Sequence, residues 1–396
     1  MKIKNKGRKI YKTKEKNYYG KSPFGKFMSG ALSVLLIGGL GFLGYSVAEP
    51  IINYTRKAGD EEPSASVTET KEQTDSFSAD DTGNSVDVMD NISVEQYRAA
   101  SVRTEDMTST EALAAALERV PSGTEYISVP LKAKGGGIYY ASSVSEAGLC
   151  GAVKSALTLN DITTTVKAAG FKPVAELSLL YDNIFPAAYP DAGYKIADGG
   201  SMWIDDALEN GGKPWMTPMS DVTRSYLSAL GDEIASAGFE KVICEDVVFP
   251  PFRESDLALL GEEVSKGDRY LSLTSLVNSL YSKFISGGTA MMLEVSAAEI
   301  LSGGGEVIQP MVLDVNTLVL KVDFDEIGQS VTAPDTVYEF SGTAEENAKK
   351  IIGLVKDRLS DYNVVVRFSG KNTEQSELIK AKEAISDYGY SSYIIG

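Results

Sequence analysis

Beyond residue 118 the chain alternates short apolar runs with amphipathic stretches. Apolar runs of this length predict strands, and longer stretches with one apolar face predict helices. The candidate strands are 126–131, 138–142, 171–180, 241–249, 289–295, 306–313, 318–324, 363–368 and 391–395. The candidate helices are 149–169, one that begins near Ser220 and Asp221 and ends at 238, 343–359 and 373–388.

Strands that are apolar on both faces are typical of a parallel sheet covered by helices. Eight such strands with their helices make a (β/α)8 TIM barrel, so the pattern predicts this α/β fold over 118–396. The doubly wound alternative has no Gly-x-Gly-x-x-Gly after its first strand. Nine candidates are one too many, and the four residues 314–317 cannot hold a crossover helix. Either a helix is missing there or one of the two flanking strands is a hairpin partner.

The segment 27–48 holds 22 residues without a charge, and residues 2–26 before it are rich in Lys. Twenty-two helical residues reach about 33 Å, which is enough to cross a bilayer. We therefore expect a single-pass membrane anchor, with the basic segment 1–26 cytoplasmic and the C-terminal domain extracellular at the cell membrane. A signal peptide cleaved after Ser46-Val47-Ala48 and a buried soluble helix are the alternatives.

Charge separates the start of the chain from its body. Residues 1–58 carry a net charge of +10 and the whole chain −17, which leaves −27 for the remainder. Such an acidic body should not bind nucleic acid, because that requires Lys and Arg to displace counterions. Residues 58–92 are acidic and poor in large apolar side chains, so we expect them to be disordered within a linker that spans 49–117.

Histidine is absent and there are only two cysteines. This composition excludes Ser-His-Asp and Cys-His triads and His-ligated metals, and we expect neither a metal nor a cofactor. Acids near the carboxyl ends of the predicted strands remain as candidates for chemistry: Glu176, Asp182, Glu245, Asp246, Glu294 and Asp314. A carboxylate pair across a cleft can hydrolyse a glycosidic bond. An acid in an apolar strand can equally be the partner of a buried Lys or Arg.

Four aromatic residues could provide flat faces for a sugar ring: Trp203, Trp215, Tyr181 and Tyr226. Packing in the core or in a lid is the alternative for the two tryptophans. A carbohydrate, such as a polysaccharide or a cell-wall glycan, is therefore the expected partner besides the membrane.

The segment from Gly238 to Pro250 reads Gly-Phe-Glu-Lys-Val-Ile-Cys-Glu-Asp-Val-Val-Phe-Pro. It resembles the Gly-Phe-Asp-Glu-Ile-Gln-Phe-Asp-Tyr-Ile-Arg-Phe-Pro signature of a bacterial family of glycosyl hydrolase domains. Four further segments, 174–182, 213–218, 292–295 and 309–311, are similar to that family's motifs in order and spacing, over roughly 124–369. The resemblance implies a TIM barrel outside the cytoplasm with a glycosidase-like cleft.

The chain also departs from the family pattern. Glu245 stands where the family has Asp, and Val248 and Glu176 stand where it has Arg. Side chains alternate along a strand, so we expect only one of Glu245 and Asp246 to face the mouth. The resemblance implies that this residue is Glu245 and that it is the first catalytic carboxylate.

We expect Glu294 to be the partner of Glu245, with Glu176 or Asp314 in reserve. The expected substrate contacts are Asp182, Asp246, Trp203, Trp215 and Tyr181. Two functions follow: a membrane-anchored glycoside hydrolase, or an inactive barrel that binds cell-wall glycan or a partner protein.

Overall fold

The computed structural model describes residues 96–197, 200–265, 269–303 and 313–396. Eight parallel strands close into a barrel in the order β1-β2-β3-β4-β5-β6-β9-β10, and β7 and β8 form a separate antiparallel pair. The strands are β1 Arg98–Ser101, β2 Tyr126–Lys132, β3 Lys172–Ser178, β4 Lys241–Glu245, β5 Ala290–Ser296, β6 Thr317–Asp323, β7 Ser330–Thr332, β8 Val337–Glu339, β9 Asn363–Ser369 and β10 Tyr393–Ile395. The expectation of a TIM-barrel-like α/β fold is confirmed.

Helices connect the strands and cover the outside of the barrel. The α-helices are α1 Thr110–Leu117, α2 Ser145–Leu149, α3 Leu159–Ala168, α4 Phe185–Ala188, α5 Asp221–Ala235, α6 Glu254–Leu259, α7 Glu262–Ser265, α8 Arg269–Ser286, α9 Ala297–Leu301, α10 Phe324–Ile327, α11 Ala344–Val355 and α12 Gln375–Ala381. Short 3-10 helices lie at Thr104–Thr108, Pro190–Ala192, Leu208–Asn210, Lys356–Leu359 and Lys382–Tyr388.

The barrel begins with a strand that the sequence pattern does not reveal. β1 lies inside the predicted linker 49–117, and it closes the barrel by pairing with β10 and β2. The predicted start of the domain at residue 118 is therefore wrong. β1 has four residues, Arg-Ala-Ala-Ser, without a β-branched or aromatic side chain that would mark a strand.

One of the nine predicted strands is not a barrel strand, and another lies almost wholly outside the described residues. The run 138–142 forms only isolated bridges, from Ile138 to Lys132 and to Val153. The run 306–313 lies, apart from Leu313, outside the described residues, and β5 pairs directly with β6 without it. The segment 314–317 is too short for a crossover helix between two parallel strands. The crossover from β5 to β6 contains α9, so the barrel does not need a helix at 314–317.

The helix boundaries follow from capping residues. The Ser220 hydroxyl accepts hydrogen bonds from the backbone of Val222 and Thr223, which fixes the predicted start of α5. The predicted helix 149–169 is shorter, since α3 starts only after Thr158, whose capping box with Asp161 satisfies the first turn.

The predicted segments 1–26, 27–48 and 58–92 lie outside the described residues. Among the residues that the structure describes, none of the helices combines the length and apolar character needed to cross a bilayer.

Side chains inside the barrel form layers, because alternate residues of each strand point inward. One buried apolar layer consists of Tyr97, Ala99, Tyr126, Val174, Ile243, Met292, Val319, Val365 and Ile394. Two residues further along six of these strands, toward their carboxyl ends, the inward positions become polar: Ser101, Glu176, Glu245, Glu294, Lys321 and Arg367. This polar layer is the floor of the barrel mouth.

Candidate active site

Arg367 lies at the centre of the polar layer and binds three carboxylates. Its Nη1 donates to Glu294 Oε2 at 2.5 Å and also to Glu245, while its Nη2 donates to Glu176. Glu176 also accepts a hydrogen bond from Ser101 Oγ at 3.1 Å. Four strands, β3, β4, β5 and β9, thereby bring three predicted catalytic candidates, Glu176, Glu245 and Glu294, together at one point.

The shared nitrogen fixes how far apart Glu245 and Glu294 can be. Both carboxylates accept from Nη1 of Arg367, at 2.5 Å in the case of Glu294. Since an N–H···O hydrogen bond rarely exceeds about 3.2 Å between heavy atoms, the two accepting oxygens lie within about 5.7 Å of each other. Both side chains are largely buried, with 19% of Glu245 and 7% of Glu294 exposed.

Burial and mutual repulsion favour the protonated forms of these acids. Burial, and then the neighbouring Glu294 charge, raise the pKa of Glu245 well above its ordinary value. Burial also raises the pKa of Glu294, against the opposing effect of Arg367 and Lys321. Burial alone would lower the pKa of Arg367, but the carboxylates of Glu176, Glu294 and Glu245 raise it well above normal, so this guanidinium is permanently charged.

Glu245 and Asp246 both reach the mouth, which corrects the expectation that only one of them could. β4 ends at Glu245, not at the predicted Phe249, because Asp246 adopts a left-handed conformation with φ of 51°. It is the one non-glycine residue with positive φ in the described part of the chain. This turn breaks the alternation, and the Asp246 carboxylate accepts from Ser178 Oγ at 2.6 Å.

A cavity of about 460 Å³ opens beside Glu294 and Asp246. Its charged lining residues include these two acids, Lys321 and Glu326. Its apolar lining includes the segment 247–252 with Trp215 and Leu257. A concave site with an apolar wall and a few convergent charged groups is typical of small-molecule and sugar sites.

One predicted aromatic contact lies at this cavity. Trp215 is 8% exposed, lines the cavity and donates from Nε1 to Asp205 at 2.9 Å. Tyr181 packs against Trp215, with ring centroids 4.2 Å apart, and Lys134 lies over its ring. Trp215 is therefore the aromatic side chain of the cavity, and Tyr181 supports it.

Two other predicted substrate contacts are structural. Trp203 is 4% exposed and packs edge-on against Tyr194 and Phe252, so it offers no free face to a sugar. Asp182 is fully buried and pairs with Lys132 at 2.9 Å. The absence of a side chain at Gly136 is required here, because a Cβ would overlap the Asp182 carboxylate.

Asp314 lies at the wrong end of the barrel for a catalytic role. It precedes β6 instead of following a strand, and its backbone N–H donates to Asn278 Oδ1 on α8 at 3.0 Å. All eight barrel strands are parallel, so this position is at their amino ends, opposite the mouth. Its assignment as a reserve catalytic acid is wrong because Asp314 lies before a barrel strand, whereas the mouth is formed by residues at the carboxyl ends of the strands.

Sequence reasoning missed the two cations of the mouth, Arg367 and Lys321. Each is a single charge within an apolar strand, in Val-Val-Val-Arg-Phe and Leu-Val-Leu-Lys-Val. Such a charge is costly to bury unless it is paired, so it signals a partner on a neighbouring strand. In the family pattern, arginines stand at the positions of Val248 and Glu176. Here Arg367 on β9 provides a guanidinium at the mouth instead.

A parallel eight-stranded barrel with a cluster of carboxylates at its mouth is the architecture of many enzymes that act on sugars. The chain belongs to the family described as "Putative glycosyl hydrolase domain", whose model matches residues 102–300. The recognition from the residues 238–250 is thereby confirmed.

Solved structures with similar folds include two glycoside hydrolase domains. That of PgaB (BpsB) from Bordetella bronchiseptica is 14% identical, with a TM-score of 0.51 over 76% of this chain and 94% of that chain. That of PelA from Pseudomonas aeruginosa is also 14% identical, with a TM-score of 0.40 over 76% and 94%. A hypothetical protein from Ruminiclostridium thermocellum is 17% identical, with a TM-score of 0.41 over 49% and 96%. No curated protein matches the sequence.

Proposed function

We propose that the domain is a glycoside hydrolase that cleaves a polysaccharide or cell-wall glycan with Glu245 and Glu294. The observation that carries this proposal is the meeting of both carboxylates at one nitrogen of Arg367, next to a cavity that Glu294 and Trp215 line. Glycosidic hydrolysis requires one carboxyl that protonates the leaving oxygen and one carboxylate that acts at the anomeric carbon. The raised pKa of both groups favours a proton on the pair.

The spacing of the pair further favours retention of configuration. Retaining enzymes separate the two carboxyl groups by about 5–5.5 Å, whereas inverting enzymes need about 6.5–9.5 Å to admit a water molecule. Two oxygens that share a nitrogen of Arg367 fit the shorter separation.

A second function, glycan binding without hydrolysis, is supported by one specific observation. The three carboxylates are already bound by Arg367, and ion pairs of this kind also occur where a charged cluster serves only stability. In that case the cavity and Trp215 would hold a sugar that the carboxylates do not cleave.

We expect the purified full-length chain to release new reducing ends from at least one polysaccharide in a panel of bacterial exopolysaccharides and cell-wall glycans. Glu294→Gln should abolish this release, because the amide can neither ionise nor attack. Glu377→Gln, which removes an exposed acid from α12, should leave it unchanged. Co-sedimentation with an insoluble glycan in the absence of reducing ends would instead support the binding function.

A further inference from the structure

Lys321 lies between Glu294 of the candidate pair and Glu326, and all three residues line the cavity. It lies on β6 and faces the mouth, and its side chain is 21% exposed. Its Nζ lies 3.9 Å from Glu294 Oε1 and 3.0 Å from Glu326 Oε2. Glu326, on α10 directly after β6, also accepts from Ser296 Oγ at 2.8 Å, which holds the arrangement in place.

The surroundings of the two catalytic candidates are therefore asymmetric. Glu294 contacts two cations, Arg367 from β9 and Lys321 from β6. In the described part of the chain, Arg367 is the cation that contacts Glu245. The acids that face Glu294 are Glu245 and Asp246 from β4 and its following turn, and Glu176 from β3. Repulsion among these acids favours a shared proton, and an additional cation decides which of them stays ionised.

We propose that Lys321 is a positioning residue that keeps Glu294 ionised and thereby assigns the two roles of the pair. This inference rests on the proposed hydrolase function. Glu294 is then the nucleophile, and Glu245 is the acid that carries the proton.

The reaction that follows has two steps. Glu294 attacks the anomeric carbon to form a glycosyl ester, while the bond to the leaving oxygen breaks and that oxygen takes the proton of Glu245. Glu245, now a carboxylate, removes a proton from water, whose oxygen attacks the anomeric carbon and breaks the ester. Glu245 is protonated and Glu294 ionised again at the end, so the cycle is balanced.

The pKa values of both acids are raised, but the causes differ in the sense that this division requires. Burial raises the pKa of Glu245 well above its ordinary value, and the repulsion of Glu294 adds to it. Burial raises the pKa of Glu294 as well, but both cations oppose that rise. Burial would lower the pKa of Lys321, yet Glu294 and Glu326 outweigh this effect and raise it, so Lys321 remains charged.

The direct test is an NMR titration of the full-length chain with ¹³C-labelled glutamate carboxyls, in which Glu294→Gln assigns the Glu294 signal. Because an opposite charge within about 4–6 Å lowers a carboxyl pKa by about 1–3 units, Lys321→Met should raise the Glu294 midpoint by that amount. Lys321→Arg should keep the midpoint near that of the unmodified protein. Lys349→Met removes an exposed lysine of α11 and should not change it.

An unchanged Glu294 midpoint in Lys321→Met, or an equal shift in Lys321→Arg, would overturn the proposal. The titration needs no substrate, so it remains informative if no glycan is hydrolysed, an outcome that would count against the hydrolase function instead. With a substrate from the panel, the acid limb of kcat/KM should move to higher pH in Lys321→Met by the same amount, and a limb that stays in place would contradict the role of Lys321.

Discussion

Glu245→Gln should lower the rate of glycan hydrolysis by about 10²–10⁴-fold, the usual loss when one acid–base group is removed. The amide keeps the shape of the side chain and an oxygen that can accept from Arg367, so the fold should survive. It has no acidic proton to give to the leaving oxygen. The measurement is kcat/KM for the polysaccharide cleaved by the unmodified chain, together with the thermal midpoint of both proteins.

Asp246→Asn is the matched control for this substitution. Asn tolerates a left-handed backbone and can still pair with Ser178, so the turn after β4 should be retained. We expect a smaller loss than in Glu245→Gln, since Asp246 contacts the cavity and not Arg367. If hydrolysis persisted in Glu245→Gln but fell in Asp246→Asn, the catalytic carboxylate would be Asp246.

Arg367→Met should lower the free energy of unfolding by about 3–5 kcal/mol at pH 8, because three buried carboxylates lose an ion-pair partner and, within the described ranges, only Glu294 keeps another, Lys321. Arg119→Met, which removes an exposed partner of Asp106, should change it by less than about 1 kcal/mol. Chemical denaturation of both variants and of the unmodified chain gives the comparison.

The loss in Arg367→Met should depend on pH in a defined direction. Burial and mutual repulsion place the pKa of Glu245 and Glu294 above the unfolded value of about 4.3, so the folded state binds more protons. The stability that this proton binding contributes is fully present below that value and is lost as the pH rises through the folded pKa. The deficit should therefore be smaller at pH 5 than at pH 8, and a deficit that grew on acidification would contradict the described cluster.

The parallel barrel could be predicted because its central strands are apolar on both faces, a pattern that burial between a barrel core and outer helices requires. β1 could not, since its four small and polar residues gain their strand conformation from pairing with β10 and β2. The residues of β1 and their neighbours in sequence do not indicate which distant strands will pair with it.

The candidate site was predictable to a similar extent. Glu176, Glu245 and Glu294 could be found because they lie near the carboxyl ends of predicted barrel strands, where the active sites of such barrels are built. The roles of Asp182 and Trp203 depend on Lys132 and Phe252, which are distant in sequence, and only the fold brings them together. Asp246 faces the mouth although side chains alternate along a strand, because its own left-handed conformation ends β4 at Glu245.

We propose that Glu245 and Glu294 form the catalytic pair of a retaining glycosidase, in which the two carboxyl groups lie about 5–5.5 Å apart. ¹H NMR of the anomeric proton during the first minutes of hydrolysis tests it most directly, before mutarotation mixes the products. We expect the first product to carry the same anomeric configuration as the bond that was cleaved. A first product of opposite configuration would show that water attacks directly, and it would contradict the assignment of Glu245 and Glu294 as the pair of a retaining enzyme.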